Sequence, residues 1–375
     1  MKILVVIPNL GTGGAERLIV TWLSNLNLSK YEVKVCIFED NLSLAPEIES
    51  LGIEIYNLNL SHKWSILEAL FKLLKLLYDF KPDIIWSHLF FGILYSRIST
   101  LFYKKTSVIS VLHDNPESNY LRNTKFQKLK FYIYDKTRSL DYKTIAVSNF
   151  TREKYEEVLG WKKLEVIENC ISLAKINKVI NSLDVTKRDE SIFTIVVPGR
   201  LVVAKGHKYL IEAIEKIIPN LDNEKKINVL FIGDGPLRFT LQTMIENKNL
   251  GSYFKIVDAV PQSKLFEYFR LANLVVIPSV SEPFGLVAVE AMYIGVPVIV
   301  SKVGGLQYIT EHNIDSLQFE TQNSLDLSYK ILEILNNPVL AKDLSENSII
   351  SAKKFDVKAR VKDWEFIFDE VKLKG

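Results

Sequence analysis

The chain has 375 residues, more than one hydrophobic core usually holds, so two domains of ordinary size are expected. At 48% hydrophobic and 24% charged it has the composition of a soluble globular protein, and a net charge of +3 calls for no nucleic-acid partner. The charge is uneven: residues 1–180 carry 24 Lys+Arg against 19 Asp+Glu, while residues 181–375 are net −2, so the first half is the one suited to an anionic surface.

In chain order, MKILVVIPNLGTGG opens with a short apolar run that Pro8 breaks and glycines follow, which reads as a first β-strand over Ile3–Ile7 and not as a secretory leader. Further strands are predicted at Val33–Phe38, Ile84–Trp86, Ser107–Leu112 and Thr144–Val147. Between them, helical periods run over Ala15–Leu26, Ile66–Phe80, Leu89–Phe102 and Lys125–Thr137. A polar stretch, INSLDVTKRDES, then precedes a second series of strands at Phe193–Val197, Asn228–Ile232, Phe254–Val257, Leu274–Ile277 and Pro297–Val300. Val- and Ile-rich strands alternating with helices define an α/β protein with two doubly wound parallel sheets. The predicted domains are residues 1–185, residues 186–355 and a terminal helix over 356–375. The longest apolar stretch, Gly285 to Val300, contains Glu290 and Pro297, so no membrane-spanning helix is expected. Cys36 and Cys170 lack metal-ligand spacing and suit a reducing, cytoplasmic compartment.

In doubly wound sheets, ligands sit beyond the carboxyl ends of the strands. The first such loop, PNLGTGGAER, offers Gly13 and Gly14 before a helix N-terminus, a place for a phosphate. A nicotinamide fingerprint would need a third glycine where Glu16 stands, and the Glu16 side chain should obstruct close packing of helix on strand. The second series opens with IVVPGRLVVAKGHKYL, placing Arg200 and Lys205 at the expected ligand edge; a forked donor and a point charge suit a diphosphate. Two solvated surface charges are the plain alternative. In FIGDGP, Gly233, Asp234 and Gly235 make a tight turn with a structural aspartate.

SEPFGLVAVEAM, Ser281 to Met292, follows the strand Leu274–Ile277, and its helix is predicted to begin around Pro283 to Gly285. Glu282 then lies at the helix mouth and Glu290 inside it. Eight residues span roughly 12 Å of helix axis, so the two carboxylates cannot share one proton or one metal. An elongated ligand would meet Glu282 at one end, the N–H groups of Phe284, Gly285 and Leu286 in the middle, and Glu290 at the other. Two sets of hydroxyls flanking a diphosphate describe a nucleotide sugar. A dipole-favoured acid and a chance polar residue would leave Glu290 unpaired in an apolar helix, which is costly.

Taken together, these residues resemble the retaining glycosyltransferases of the GT-B fold, family 4 (group 1), the type that builds bacterial polysaccharides and lipid-linked glycans. The likeness runs over nearly the whole chain: GGAER at Gly13–Arg17, HD at His113–Asp114, AVSNF at Ala146–Phe150, GRL and KG within Gly199–Gly206, GDGP at Gly233–Pro236, and the glutamates Glu282 and Glu290, in the family's order. The resemblance implies two Rossmann-like domains facing a central cleft, with a C-terminal helix crossing back to the N-terminal domain. It implies that the N-terminal domain takes the acceptor and the C-terminal domain the nucleotide-sugar donor. Arg200 and Lys205 would neutralise the donor diphosphate, Glu290 would hold the ribose, and Glu282 with the N–H groups of Phe284, Gly285 and Leu286 would hold the transferred sugar and phosphate. Gly13 and Gly14 would approach the diphosphate, His113 would contact the sugar near the reacting carbon by its side chain or its backbone carbonyl, a structural histidine being the plain alternative, and the loop VDAVPQ, including Asp258 and Ala259, would cup the base through backbone groups. Two departures are present: Asn169, Cys170, Ile171 and Ser172 stand where the family usually has Asn, Gly, an apolar residue and Asp, and Gln307 stands where an acid is frequent.

The resemblance implies transfer of a hexose or N-acetylhexosamine, with UDP as the expected base and GDP as the alternative, to a glycan or lipid-linked acceptor. No Asp-x-Asp run occurs, so metal-independent catalysis without a cofactor is expected. Two basic, aromatic-bearing stretches, His62 to Lys81 and Asn119 to Arg138, are candidates for peripheral contact with an anionic membrane, the first reading equally as a sheet-packing helix with solvated lysines. An epimerase of the same fold, or a non-catalytic nucleotide-sugar binding protein, are the competing readings.

Overall fold

A computed structural model of the chain describes residues 1–61, 65–116, 125–182, 189–221 and 226–374. They divide into two compact units, Met1–Cys170 with Val357–Gly375, and Ile171–Asp356.

The first unit holds a seven-stranded parallel sheet of order β3-β2-β1-β4-β5-β6-β7. Its strands are β1 (Lys2–Val6), β2 (Glu32–Ile37), β3 (Glu54–Asn57), β4 (Ile84–His88), β5 (Ser107–Leu112), β6 (Asp141–Ala146) and β7 (Glu165–Val166). Leu4, Val5 and Val6 are wholly buried, as expected for a central strand covered on both faces. One face packs on the helix Gly14–Leu23 and on the terminal helix Val357–Lys374, whose Trp364 and Phe368 join Trp22 and Trp86 in one aromatic cluster. Trp364 lies 4.8 Å from Trp86 and 5.1 Å from Trp22 between ring centroids, and each such pair adds about 0.5–1.5 kcal/mol beyond area burial. Ion pairs at its flanks, Arg360 with Glu168 at 2.8 Å and Lys30 with Asp369 at 2.6 Å, fix the helix azimuth. The C-terminal helix therefore crosses back to the N-terminal unit, as expected.

The second unit holds a six-stranded parallel sheet of order β10-β9-β8-β11-β12-β13. Its strands are β8 (Ile192–Pro198), β9 (Lys226–Ile232), β10 (Phe254–Val257), β11 (Leu274–Ile277), β12 (Val298–Ser301) and β13 (Leu317–Phe319). Both sheets reverse strand order once, between β1 and β4 in the first unit and between β8 and β11 in the second. Ligands of doubly wound sheets bind at such switch points.

Two expectations are corrected. The polar stretch suggests a boundary at residue 185, but the chain enters the second unit at Ile171. The helix Leu173–Ser182 buries Ile176 in the second core and packs Val179 and Ile180 against it, and Arg270 donates to the Ile180 carbonyl at 3.0 Å. The polar run that suggested the boundary lies partly outside the described residues, at 183–188. The helix after β11 begins at Leu286, one residue past the expected range Pro283 to Gly285, because Gly285 has φ +104°, which ends any helix running through it. Among the described residues no helix is long and apolar enough to cross a membrane.

Candidate functional site

In the second unit, β8 ends at Pro198 and the chain turns through Gly199 into exposed Arg200. No ion-pair partner for Arg200 is found among the described residues. The backbone of this turn is held from the neighbouring strand, Gly199 N donating to the Ile232 carbonyl at 3.0 Å and Leu201 N to the Asp234 carbonyl at 2.8 Å. The tight turn Gly233–Gly235 is what permits this approach: a Cβ on Gly233 would stand 2.0 Å from the Gly199 carbonyl oxygen. Asp234 accepts from Arg238 at 3.2 Å, a structural use of that carboxylate.

The next loop is pinned to the other side of the switch point. Gly206, at φ +66°, comes so close to the strand end that a Cβ would lie 1.9 Å from the Pro278 carbonyl oxygen, and Val280 N donates to the Ala204 carbonyl at 2.8 Å. This docking delivers Lys205 Nζ to Glu282 Oε2 at 2.6 Å. Ser279 Oγ donates to the same oxygen at 3.3 Å. Behind Glu282, Gly305 N donates to its carbonyl at 2.8 Å, and Gly304, at φ +56°, leaves only 2.1 Å between a Cβ and that carbonyl oxygen. Glu282 is thus held through its backbone from the loop after β12 and through its side chain by Lys205.

Past Glu282, Phe284 is buried and Gly285 caps the helix Leu286–Ile294 without a side-chain hydrogen bond. The first N–H groups of that helix are left to a ligand or to water, at the positive end of its dipole. Glu290, 7% exposed, lies inside the helix and accepts from Gln262 Nε2 at 2.5 Å. Gln262 opens the helix after β10, so the loop after β10 and the helix bearing Glu290 meet through these two side chains. In that loop Asp258 pairs with Arg238 at 2.8 Å and Ala259 is exposed. Arg200, Lys205, Glu282, Phe284, Gly285, Leu286, Glu290, Asp258 and Ala259 all occupy the carboxyl edge of this one sheet.

In the first unit, Gly13 caps the helix Gly14–Leu23, and the Glu16 carboxylate folds back to the place a Gly13 Cβ would take, 2.2 Å from it. The expected obstruction of helix on strand does not arise, because Glu16 turns over the helix start where an acid complements the dipole. His113 follows β5, and its Nε2 lies 3.0 Å from His88 Nδ1, at the end of β4. Burial pushes both imidazoles below their usual range, and for His88 the neighbouring His113 adds to it. Both are neutral near pH 7. Asp114 accepts from Tyr155 at 3.0 Å, closing the small cavity beside His113.

Three participants escape a reading of the sequence alone. Ser279 looks like an ordinary strand-end polar residue, and the side chain of Gln262 is not singled out within the loop VDAVPQ that it ends. His88 is embedded in the apolar run IIWSHLFFG, although the search beyond strand ends applies to it as well.

An ion-paired lysine and glutamate, a guanidinium with no ion-pair partner among the described residues, a helix mouth and a buried glutamate thus gather at one switch point. Residues 181–350 match the family described as glycosyl transferases group 1, and residues 12–175 match glycosyltransferase family 4. An uncharacterised glycosyltransferase of Methanocaldococcus jannaschii is 29% identical over 77% of this chain and 76% of its own. The lipopolysaccharide core biosynthesis glycosyltransferase LpsD of Rhizobium meliloti is 26% identical over 95% of each chain. Alignments with some further relatives span half of those proteins or less. Among solved structures, Anabaena HepE in complex with UDP and glucose superposes with a TM-score of 0.82 at 20% identity, over 99% of this chain and 100% of that one. The chain belongs to the group 1, family 4 glycosyltransferases and has their GT-B fold.

Proposed function

We propose that this glycosyltransferase moves a hexose or N-acetylhexosamine, with retention of configuration, from a UDP-sugar to a glycan or lipid-linked acceptor in the biosynthesis of a bacterial surface polysaccharide or glycoconjugate. The observation that carries the reading is the arrangement at the second switch point. Lys205 and Arg200 lie on the strand side, Glu282 stands before the helix mouth, and Glu290 is buried beyond it. A diphosphate would take Arg200, Lys205 and the helix N–H groups, the ribose hydroxyls would donate to Glu290, and the sugar hydroxyls to Glu282. The UDP bound to Anabaena HepE supports uridine as the base, and the core-biosynthesis relative supports a glycan acceptor.

In the reaction so read, the bond from the anomeric carbon to the phosphate oxygen breaks and a bond to the acceptor oxygen forms on the same face. The acceptor's proton passes to the leaving phosphate oxygen. Arg200, Lys205 and the Leu286 helix start stabilise the charge that develops there, a preorganised electrostatic contribution. His113 contacts the transferred sugar. With side-chain cations in this role, transfer without a divalent ion is the expectation. Products formed from UDP- and GDP-sugars, with and without acceptor and with a chelator present, test the reading. Retention at the anomeric carbon, seen in the proton coupling constant, supports it; inversion, or epimerised donor formed without acceptor, overturns it.

A lipid-linked acceptor places the enzyme at the cytoplasmic face of a membrane. The helix Ile66–Phe80 supports that placement, exposing Leu67 at 84% and Phe71 at 74% on the side that also carries Lys75 and Tyr78. The helix Lys125–Lys136 exposes Leu129 and Tyr132. Residues 62–64 and 119–124 of the two basic stretches lie outside the described residues.

A further inference from the structure

We propose that His88 is a positioning residue for His113: its Nδ1–H donates to His113 Nε2, fixing the ring and leaving the His113 proton on Nδ1 as a donor to the ligand. The inference rests on the reading of His113 as a sugar contact and adds a second histidine that no motif of the chain marks.

Topology supplies the first argument. His88 is the last residue of β4, beside the switch point between β1 and β4, and β4 pairs with β5, which leads into His113. The backbone after His88 is strained, since Leu89 has φ +59°. A left-handed leucine costs about 1–2 kcal/mol, and such strain collects at functional sites. Leu89 also lines the cavity that holds His113 and Asp114.

Proton counting supplies the second. With both rings neutral, each carries one N–H, so the 3.0 Å contact has two arrangements. If His113 Nε2 donated, His88 would carry its proton on Nε2, which is buried and without a partner. A buried N–H or lone pair without a partner costs about 1–3 kcal/mol in either arrangement, so the surroundings of His88 Nε2 decide between them. The same cage already contains the unpartnered indole N–H groups of Trp22, Trp86 and Trp364, and the first two rings lie 6.0 and 5.1 Å from that of His88. Among donors without acceptors, a bare lone pair at His88 Nε2 is the better electrostatic fit. His88 therefore donates through Nδ1, and His113 keeps its proton on Nδ1.

Long-range nitrogen–proton correlation on the ¹⁵N-histidine-labelled full chain reads both tautomers directly. The expected result is Nδ1–H on both rings, with His113 changing tautomer or becoming mixed in His88→Phe and returning in His88→Asn, whose side-chain N–H replaces Nδ1–H. The matching kinetic result is kcat lowered by about 10-fold or more in His88→Phe at unchanged donor KM, restored in part by His88→Asn. A proton on His88 Nε2, or a His113 tautomer indifferent to His88→Phe, would overturn the proposal even in a chain whose variants fold poorly, because the first is read on the wild type. Full transfer by His113→Ala with both Nδ1–H tautomers present in the wild type would instead overturn the sugar contact and, with it, any part of His88 in transfer.

Discussion

Lys205 Nζ lies 2.6 Å from Glu282 Oε2, so the cation assigned to the diphosphate is paired with the carboxylate assigned to the sugar. The pair is partly exposed, with side chains at 27% and 12%, and a pair of this kind is worth about 0.2–1 kcal/mol. Binding a diphosphate must draw Lys205 partly away from Glu282. In Glu282→Gln that competition is gone, and affinity for UDP without sugar should rise about two- to fivefold while transfer falls by about 10²-fold or more. Calorimetry with UDP beside an activity assay separates the two. UDP binding weakened in proportion to transfer would show that Glu282 steadies Lys205 instead of competing for it.

Gly304 should be intolerant of any side chain. Its φ of +56° and the 2.1 Å left between a Cβ and the Glu282 carbonyl oxygen mean that Gly304→Ala must displace the backbone of Glu282. Gly52, at φ +76° with nothing within 4 Å of its Cβ, provides the comparison. Each alanine pays a left-handed backbone cost of about 1–2 kcal/mol, but only Gly304→Ala should also lose transfer. Equal activity of the two purified variants would show that the loop after β12 does not hold Glu282.

Acid should destabilise both units. His88 and His113 in the first and His207 in the second have imidazoles pushed down by burial, His207 to about 4 with Lys205 adding to the effect. In an unfolded chain they titrate near 6.5, so below that pH the unfolded state binds protons that the folded state refuses, and stability falls as pH falls. For His207 the loss accumulates between pH 6.5 and about 4 at up to about 1.4 kcal/mol per pH unit. Above pH 7 these groups contribute no pH dependence. Thermal denaturation at pH 7.5 and pH 5 checks this: wild type should melt lower at pH 5, with the difference reduced in His207→Leu. Equal melting at both pH values would contradict the buried neutral assignment.

Retention on vesicles should depend on the exposed face of the helix Ile66–Phe80. Leu67→Glu with Phe71→Glu changes two exposed side chains without touching the core positions Leu73, Leu76 and Leu77. The double variant should sediment less with phosphatidylglycerol-containing vesicles and keep wild-type transfer to a soluble acceptor analogue. Unchanged sedimentation would move the membrane contact elsewhere or remove it.

What could be read from the sequence follows physical lines. Strands that are continuous Val/Ile runs were readable most closely: β8 spans Ile192–Pro198 against an expected Phe193–Val197, and β11 coincides with Leu274–Ile277, whereas β6 spans Asp141–Ala146 against an expected Thr144–Val147 because its first half is polar. β3 and β13 were not, because EIYN and LQF are edge strands too short and too polar to show a period. The gathering of Arg200, Lys205, Glu282 and Glu290 at one sheet edge was readable because the segments that carry them follow strand ends in a restarted α/β series. The domain boundary was hidden because the helix Leu173–Ser182 exposes a polar face and reads as linker. Side-chain pairings such as Gln262 with Glu290 and His88 with His113 join residues 28 and 25 positions apart, and no local pattern encodes them.

The most direct measurement is calorimetric titration of UDP into the wild type and Glu290→Gln, with GDP as the comparison. The side chain keeps its shape and loses its charge, so the hydrogen bonds from the ribose hydroxyls weaken by about 1.5–3 kcal/mol, roughly 10- to 100-fold in Kd. The account predicts UDP binding that exceeds GDP binding and falls by that factor in the variant. Equal UDP affinity in a folded Glu290→Gln would contradict the placement of the ribose on Glu290 and the donor site built around it.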